Sequence, residues 1–400
     1  MRDVAAQLGR WIEEGREVAV ATVVGVSGSA PRGPGAALAV DGAGAALGSV
    51  SGGCVEGAVY ELCTQALADG RPVVQRFGYS DDDAFAVGLT CGGTVEVLVT
   101  PVGAAAPARP VLAAALAAFA EGASAALVRV VRGPDELLGG ALLVHADDAY
   151  EGTLGGSPQW DRIARNEALD MLALGRTGTV DVALDGALCP GGVTLFVECR
   201  VPPPRMIVFG AVDFAEALVR AGSFLGFHVT VCDARPVFAT RERFPEADEV
   251  VVDWPHRYLR QTRTDARTVL CVLTHDAKFD VPLLTEALRM PLAYVGAMGS
   301  RRTHADRLRR LREVGLTERE LARLRSPIGL DLGGRTPQET ALSIAAEIVA
   351  TRHGGSGLPL TGSSVPLHRE GDAPDGKSTE PSARVRRPAP MHSHRMTGRR

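Results

Sequence analysis

The stretch that decides the fold of the C-terminal half is IVFGAVDFAEALVRAG, residues 207–222. An apolar run of strand length leads into a turn at Gly210, and an amphipathic helical pattern follows directly. Further apolar runs of strand length alternate with helical patterns, one of them predicted at Pro282–Met290, as far as about residue 350. The last helix is predicted to start at the capping-box pattern Thr336-Pro337-Gln338-Glu339. Continuous apolar strands alternating with amphipathic helices are typical of a parallel sheet covered on both faces. The sequence therefore predicts a Rossmann-like α/β domain over residues 205–354.

The turn after the first strand departs from the dinucleotide-binding fingerprint G-x-G-x-x-G. Gly210 occupies the first position, whereas Val212 and Ala215 stand at the second and third. The second glycine normally lets the backbone approach a pyrophosphate, and Asp213 beside it would repel one. Asp233, at the end of the next strand, occupies the place of a ribose-binding acid. We predict a scaffold in which Gly210 and Asp233 contact a ligand, with NAD(P) disfavoured.

A second candidate lies at Thr274-His275-Asp276, where another predicted strand ends. Ligands of open α/β sheets bind outside the carboxyl ends of the strands, so His275 is a candidate donor to an anion. Capping of the following helix by Asp276 and His275 explains the same residues. Both interpretations stay open at this point.

The segment YVGAMGSRRT, residues 294–303, is a third strand end that leads into a helix. Its two glycines permit a close approach, and its serine can cap a helix whose N-terminus presents free N–H groups. The pattern predicts a cradle for a phosphate or carboxylate. The residues involved are Gly296, Gly299, Ser300 and Arg301.

Residues 1–200 follow a different pattern, in which helical segments and short apolar runs are separated by glycine-rich turns. This mixture predicts an α+β domain. Three consecutive prolines then favour an extended chain, so residues 201–204 are predicted to be a stiff linker. Residues 355–400 are rich in Gly, Ser, Pro and Arg and poor in large apolar residues, which predicts a disordered tail.

Three glycine-rich loops of the N-terminal domain carry candidate chemistry: SGSAPRGPG with Arg32, GSVSGGCVEG with Cys54 and Glu56, and GLTCGG with Cys91. A helix N-terminus stabilises a thiolate, and Cys54 stands at the predicted start of a helix. No C-x-x-C pair or zinc-type spacing of Cys and His is present. The remaining cysteines lie in or beside apolar runs and are predicted to be core: Cys63, Cys189, Cys199, Cys232 and Cys271.

Composition excludes several classes of protein. The formal charge of −4 over 400 residues gives no general attraction to nucleic acid or to an anionic membrane. No apolar stretch reaches the roughly 20 residues needed to span a bilayer, and the N-terminus lacks the apolar core of a signal peptide. Seven cysteines, an odd number, do not indicate a secreted disulfide framework. We expect a cytoplasmic protein.

Taken together, the motifs resemble those of the XdhC/CoxI family. Besides the three N-terminal loops, the C-terminal half carries VTVCDARPVFAT, VVDWPH, LTHD, YVGAMGSRR and SPIGLDLGGRTPQETALSIAAEI. The resemblance covers nearly the whole chain except the middle segment and the tail. It implies an accessory protein that binds molybdenum cofactor and cooperates with a cysteine desulfurase in its sulfuration. It further implies delivery to an apo molybdenum hydroxylase of the xanthine or carbon monoxide dehydrogenase type, and a homodimer.

We therefore predict a maturation chaperone rather than an enzyme with its own turnover, with Cys54 and Cys91 as molybdenum-facing thiolates. Two alternatives remain: an NAD(P)-dependent oxidoreductase built on Asp233 or His275, and a thiol-redox protein that uses Cys54 and Cys91. The sequence leaves open the client enzyme and whether the cofactor is the mononucleotide or dinucleotide form. The predicted cofactor-binding residues are Arg32, Cys54, Glu56, Cys91, Gly210, Asp233, His275, Gly296, Gly299, Ser300 and Arg301.

Overall fold

The structure is a computed structural model that describes residues 1–78, 93–182 and 192–361. Cys91 and Cys189 lie outside the described residues, as does most of the tail predicted for residues 355–400. The prediction for Cys91 therefore stays a prediction.

The chain begins with a helix, a five-stranded antiparallel sheet and a second helix that covers the sheet. The sheet has the strand order β3-β2-β1-β5-β4, and β1 is central because it is long and rich in valine. We call residues 5–102 the first repeat. Its elements are α1 (Ala5–Glu13), β1 (Val18–Ser27), β2 (Ala37–Asp41), β3 (Ala46–Gly48), α2 (Glu56–Asp69), β4 (Val73–Phe77) and β5 (Thr94–Val102).

Residues 109–200, the second repeat, have the same order of elements and the same topology. Their antiparallel sheet has the strand order β8-β7-β6-β10-β9, which is the order of the first sheet element for element. The N-terminal domain is thus an α+β domain, as predicted, and also an internal duplication, which was not predicted. The elements are α3 (Arg109–Glu121), β6 (Ala125–Arg132), β7 (Ala141–His145), β8 (Tyr150–Thr153), α4 (Pro158–Leu174), β9 (Gly178–Val182) and β10 (Val193–Arg200).

Matched glycines show how closely the repeats correspond. Gly48 ends β3 at φ +91°, and Gly152 lies in β8 at φ +89°. A side chain on Gly48 would overlap the carbonyl oxygen of Ala37, and one on Gly152 would overlap that of Ala141. These left-handed positions favour glycine, since other residues are strained there. The same local geometry has therefore been kept twice.

The two repeats share one core. Helices α1 and α3 pack against each other, and with the inner faces of both sheets they enclose a continuous apolar cluster. Helices α2 and α4 each cover the outer face of their own sheet and enclose a smaller cluster. The repeats thus form one packed unit. Buried members of the shared cluster include Leu8, Trp11, Val20, Ala115, Phe119 and Leu127.

A buried ion pair lies where the repeats meet. Arg129 of β6 donates to Glu198 of β10 at 3.0 Å and to the hydroxyl of Thr22 in β1 at 2.9 Å. In the first repeat, the positions of Arg129 and Glu198 are occupied by Thr22 and Thr100, as the strand registers show. The duplication is therefore symmetric in backbone and asymmetric in charge at its centre.

Residues 201–204, between β10 and the C-terminal unit, form neither helix nor strand. Arg267 of the C-terminal unit donates to the carbonyl of Pro202 at 2.9 Å, which ties the linker to the sheet beyond it. Within the described residues, no helix is long and apolar enough to cross a membrane.

The C-terminal unit is a six-stranded parallel sheet with helices on both faces and the strand order β13-β12-β11-β14-β15-β16. The Rossmann-like prediction is confirmed. Its elements are β11 (Arg205–Phe209), α5 (Asp213–Phe224), β12 (His228–Asp233), β13 (Glu249–Val252), α6 (Pro255–Gln261), β14 (Val269–Val272), α7 (Ala277–Ala287), β15 (Tyr294–Ala297), α8 (Arg301–Glu313), α9 (Glu318–Leu321), β16 (Leu324–Arg325) and α10 (Pro337–His353).

The predicted start of one helix is confirmed, and that of another is wrong. The capping box predicted from Thr336 and Glu339 is present and starts α10. The sequence pattern placed the start of α7 at Pro282, which is wrong: α7 starts at Ala277 and Pro282 lies inside it. The cause is Asp276, whose side chain accepts a hydrogen bond from the backbone of Lys278 and caps the helix earlier.

Candidate functional site

The glycine-rich loops of the first repeat meet at one end of its sheet. Gly52 of the loop before α2 neighbours Pro31, in the loop between β1 and β2, since a Cβ on Gly52 would lie 4.0 Å from the Cβ of Pro31. Gly93, just before β5, lies so close to the carbonyl oxygen of Ser29 that a side chain there would overlap it. Two of the three predicted loops are thus neighbours, and Gly93, the last residue of the third, lies against the loop of Arg32.

The carboxylate of Glu56, the first residue of α2, organises the loop that precedes it. Its Oε1 accepts hydrogen bonds from the Ser49 hydroxyl at 2.7 Å and the Ser51 amide at 2.8 Å. Its Oε2 accepts from the Ser51 hydroxyl at 2.5 Å and the Gly53 amide at 2.7 Å. With this many donors, Glu56 holds the loop in shape, which differs from the direct cofactor contact that the sequence suggested.

The electrostatics of Glu56 follow from these contacts. Partial burial alone would raise its pKa, but the hydrogen bonds from Ser51, Ser49 and the loop amides outweigh burial and lower the pKa to about 2. Glu56 is therefore ionised at neutral pH. Its negative charge is stabilised by neutral hydrogen-bond donors of the same loop.

Cys54 lies in the middle of this fixed loop, two residues before α2. Its side chain is half-buried and packs beside the apolar cluster under α2. Four of the other cysteines are also described, and burial raises the pKa of each thiol: Cys63, Cys199, Cys232 and Cys271. Raised pKa values keep those thiols protonated and unreactive. Cys63, Cys232 and Cys271 are buried in the core, as predicted, whereas Cys199 is half-buried and lines the cavity that also contains Arg32.

Arg32 lies at a cavity of about 320 Å³ between the repeats. Its guanidinium pairs with Asp3 at 2.7 Å and remains more than one third exposed. Arg2 adds a second guanidinium, whereas the buried carboxylate of Glu198 forms part of the wall. Since the loop of Arg32 also neighbours the loop of Cys54, the cavity and the cysteine loop flank the same short segment.

In the Rossmann-like unit, Gly210 serves close packing between strand ends. Its φ is +107°, and a Cβ there would lie 2.9 Å from Cγ2 and 3.0 Å from the amide nitrogen of Thr274. The ends of β11 and β14 are therefore in contact at the position where a Rossmann crevice normally opens.

Asp233 is buried and its carboxylate is occupied. It accepts from the amide of Ala211 at 2.8 Å and from two nitrogens of Arg235 at 2.8 and 2.9 Å. Burial alone would raise the pKa of Asp233, but the Arg235 guanidinium and the amides hold it below its ordinary value. The acid that resembles a ribose ligand by position therefore belongs to an internal ion pair.

His275 is exposed at the end of β14, next to the capping residue Asp276. Its neighbour Thr274 donates to the buried carboxylate of Asp280 at 2.5 Å. Arg307 donates to Asp280 at 2.8 Å and also to the carbonyl of Met298 at 2.8 Å. This buried pair, which sequence patterns missed because its members lie in different helices, joins the loops after β14 and β15.

The predicted cradle after β15 is built mainly for packing. A Cβ on Gly296 would lie 2.5 Å from Ile328, and one on Gly299, at φ +147°, would lie 3.1 Å from Thr303. Ser300 accepts from the Thr303 amide at 3.1 Å and caps α8, as predicted. Arg301 is exposed in the first turn of that helix.

The predicted residues thus fall into two groups, one at the loops of the first repeat and one along the carboxyl edge of the parallel sheet. Among the hydrogen bonds and ion pairs of the described residues, none joins the two groups. In the same residues, no group of three or more Cys, His, Asp or Glu side chains is arranged to hold a metal ion.

Two segments of the chain match sequence models of known protein families. Residues 206–348 match the sequence model of the XdhC Rossmann domain. Residues 11–78, which include Arg32, Cys54 and Glu56, match that of the XdhC and CoxI family. The chain belongs to the XdhC and CoxI family. The resemblance of the motifs is thereby confirmed.

Several relatives of this XdhC/CoxI-family protein have names. A probable xanthine dehydrogenase subunit from Bacillus subtilis is 26% identical, over 88% of this chain and 98% of its own length. The molybdenum cofactor insertion chaperone PaoD of Escherichia coli is 25% identical over 84% of each chain. Uncharacterized protein YqeB of Escherichia coli is 29% identical over 54% of this chain, which spans only 41% of YqeB.

A solved structure has the same fold. The crystal structure of a protein described as a xanthine dehydrogenase from Bacillus halodurans superposes with a TM-score of 0.57 at 26% identity. The match covers 87% of this XdhC/CoxI-family chain and 95% of the other. The likeness therefore extends over both the N-terminal domain and the Rossmann-like unit.

Proposed function

We propose that this protein binds molybdenum cofactor at the loops of the first repeat and assists its sulfuration and insertion into a molybdenum hydroxylase. The observation that carries the proposal is the proximity of the loop of Arg32 to the loop of Cys54, which Glu56 holds in a fixed shape. The relative PaoD, which aligns over 84% of this chain and 84% of its own length, is a molybdenum cofactor insertion chaperone, and this supports the same role.

The residues of this site suit the two ends of the cofactor. The pyranopterin carries a phosphate, and Arg32 and Arg2 supply guanidinium groups of the kind that bind phosphate. Its molybdenum end is bound by sulfur, which is compatible with the thiol of Cys54 and, in this proposal, with that of Cys91. The cavity of about 320 Å³ falls at the lower end of the roughly 300–1,000 Å³ typical of ligand sites.

In this proposal the protein's own residues hold and shield the cofactor without changing it. Glu56 accepts hydrogen bonds from Ser49, Ser51 and Gly53, and these bonds keep the loop in one shape beside the ligand. The terminal sulfur would come from a cysteine desulfurase, and the acceptor would be an apo hydroxylase of the xanthine or carbon monoxide dehydrogenase type. A cytoplasmic homodimer is part of the same proposal.

The oxidoreductase alternative is less well supported. A nicotinamide dinucleotide needs room for its pyrophosphate at the second position of the fingerprint and a ribose ligand at Asp233. Val212 instead occupies that second position, and Asp233 is engaged by Arg235 and Ala211. We propose that the Rossmann-like unit does not use NAD(P). The thiol-redox alternative needs Cys91, which lies outside the described residues.

The proposal is tested by offering molybdenum cofactor to the purified protein without oxygen and then adding a cofactor-free hydroxylase. We expect the loaded protein to retain the pterin through gel filtration and to restore hydroxylase activity. An Arg32→Gln variant should retain less cofactor, whereas Arg10→Gln, an exposed arginine of α1, should match the wild type. If the wild type neither retains the cofactor nor activates the hydroxylase, the proposal is refuted.

A further inference from the structure

One tryptophan of this chain is exposed at the ligand-binding edge of the parallel sheet. Trp11 and Trp160 are 6% and 4% exposed, whereas Trp254 is 42% exposed. Trp254 stands two residues after β13, beyond the carboxyl end of that strand. Singly exposed apolar side chains are common, so what distinguishes Trp254 is its position at the edge where ligands of open α/β sheets bind.

Neighbouring rings hold Trp254 in one orientation. Phe279 of α7 packs against it with ring centroids 5.2 Å apart and an interplanar angle of 55°. His256 of α6 meets it edge to face at 6.1 Å and 70°. Two helices therefore fix the indole before any ligand arrives, which lowers the entropic cost of stacking on it.

Cationic groups lie beside the indole. The Lys278 ammonium is 4.8 Å from the centre of the Phe279 ring, which in turn is 5.2 Å from the centre of the Trp254 ring. The ammonium therefore lies at most about 10 Å from the centre of the indole. Lys278 pairs with Asp276 at 3.0 Å but stays largely exposed. An ammonium at this distance can reach a phosphate attached to a ring that stacks on the indole.

Arg235 extends the same surface toward β12. The parallel strands β12 and β13 place Asp233 beside Val252, and Arg235 and Trp254 each follow these paired residues by two positions, so both lie beyond the same ends of neighbouring strands. The Nε and Nη2 of Arg235 donate to Asp233. Its Nη1 has no hydrogen-bond partner among the residues that the structure describes, and the side chain is 46% exposed. Two N–H donors are therefore available to an anion.

The usual dinucleotide position departs from the fingerprint, which favours this side of the sheet. Val212 stands where a second glycine would let the backbone approach a pyrophosphate, and Asp213 places a carboxylate in the first turn of α5. A ligand with one phosphate and one planar ring needs neither position. It needs a stacking surface and cations at the carboxyl ends of β12, β13 and β14, which this surface provides.

We propose that Arg235, Trp254, Lys278 and Phe279, the Trp254 surface, bind a nucleoside monophosphate, whose base stacks on Trp254 and whose phosphate contacts Lys278 and the Nη1 of Arg235. This binding is independent of the molybdenum cofactor site proposed for the first repeat. The ring supplies most of the affinity, and the cations distinguish a nucleotide from a nucleoside.

Because Trp254 is the single exposed tryptophan, its fluorescence reports the binding directly. The full-length protein is titrated with guanosine 5′-monophosphate, with guanosine and with inorganic phosphate. We expect saturable quenching by the nucleotide, weaker binding of guanosine and no quenching by phosphate alone. The same titration is repeated by calorimetry, so that a Trp254→Leu variant can be compared. Its Kd should rise at least about fivefold, the lower end for loss of a base–aromatic stack.

Two further variants separate stacking from charge. Lys278→Ala keeps the fluorescent reporter and should raise the Kd of the nucleotide toward that of guanosine. Phe224→Leu removes a distant exposed aromatic ring at the end of α5 and should leave the titration unchanged. Absence of quenching at millimolar nucleotide, or an unchanged Kd in both Trp254→Leu and Lys278→Ala, would overturn the proposal, whatever the protein does with molybdenum cofactor.

Discussion

The two repeats of the N-terminal domain have one topology and two kinds of loop. Before α2, the loop of the first repeat carries Cys54 and is fixed by Glu56 through two serines and several amides. Before α4, the second repeat has Ser157 and Pro158 instead, and Asp161 accepts from the amide of Leu154. The scaffold has been kept twice, whereas the groups that suit a cofactor lie in the first repeat.

Where the two repeats meet, the charged residues belong to the second repeat instead of the first. There the first repeat supplies Thr22 and Thr100, and the second supplies the buried pair Arg129 and Glu198. Charge in the second repeat holds the repeats together, and charge in the first repeat shapes a loop. We therefore assign binding to the first repeat and support to the second.

The largest effect should come from breaking the junction. Arg129→Met removes one of two cations that contact the buried carboxylate of Glu198, the other being the N-terminal ammonium of Met1. Loss of one member of a buried ion pair costs about 3 to 5 kcal/mol, and we expect the lower end of this range because Met1 still compensates Glu198. The free energy of unfolding, measured with denaturant, checks this value. A double variant, Arg129→Thr with Glu198→Thr, copies the first repeat and should lose less than Arg129→Met. If Arg129→Met costs under about 1 kcal/mol, the range of an exposed pair, the pair does not hold the repeats together.

Matched glycines test whether the backbones are equivalent. Gly48→Ala and Gly152→Ala each place a side chain at φ near +90° and against a carbonyl oxygen. Strain of this kind costs about 1 to 3 kcal/mol, and we expect the two variants to lose similar amounts. Thermal unfolding of both variants measures the comparison. A loss confined to one of them would mean that the repeats differ where their topology agrees.

A smaller effect is expected at the loop of the first repeat. Glu56→Gln should cost about 1 to 2 kcal/mol at pH 7, since charge-assisted hydrogen bonds are lost from a partly exposed group that solvent screens. Asp161→Asn, with one amide donor on its carboxylate oxygen, should cost less. Equal losses from the two variants, measured by denaturant unfolding, would show that the first loop is no better ordered than the second.

The pH dependence of Glu56 follows from its lowered pKa. Folding lowers the pKa from an ordinary value of 4.5 to about 2, so the ionised carboxylate contributes stability above about pH 4.5. That contribution is lost as the pH falls from 4.5 toward 2. The difference in unfolding free energy between wild type and Glu56→Gln should therefore shrink over this range. A difference that stays constant would show that the carboxylate is not held by the loop.

Local patterns predicted much of this structure. The alternation of apolar strands and amphipathic helices after residue 205 predicted the parallel sheet, and the residues from Thr336 to Glu339 predicted the start of α10. Both signals depend on neighbours in the chain. The glycine-rich loops were also visible, because glycine at positive φ, as at Gly52 and Gly53, is a local requirement.

Contacts between distant residues were not predictable in the same way. The duplication is carried by strand order, and few identical residues mark it beyond pairs such as Gly48 and Gly152. Asp280 and Arg307 are 27 positions apart, and nothing in either segment indicates the pair. The contact between the Ala211 amide and the carboxylate of Asp233 was not predictable for a related reason, since 22 positions separate the two residues and the fold brings them together.

The assignment of binding to the first repeat is tested most directly by the cofactor content of two matched variants. Wild type, Cys54→Ala and Ser157→Ala are purified without oxygen from a molybdenum-replete host, and molybdenum and pterin are measured per chain. We predict that Cys54→Ala folds normally but retains several-fold less of both, whereas Ser157→Ala retains as much as the wild type. Equal retention by Cys54→Ala and wild type, or loss in Ser157→Ala instead, would contradict the assignment.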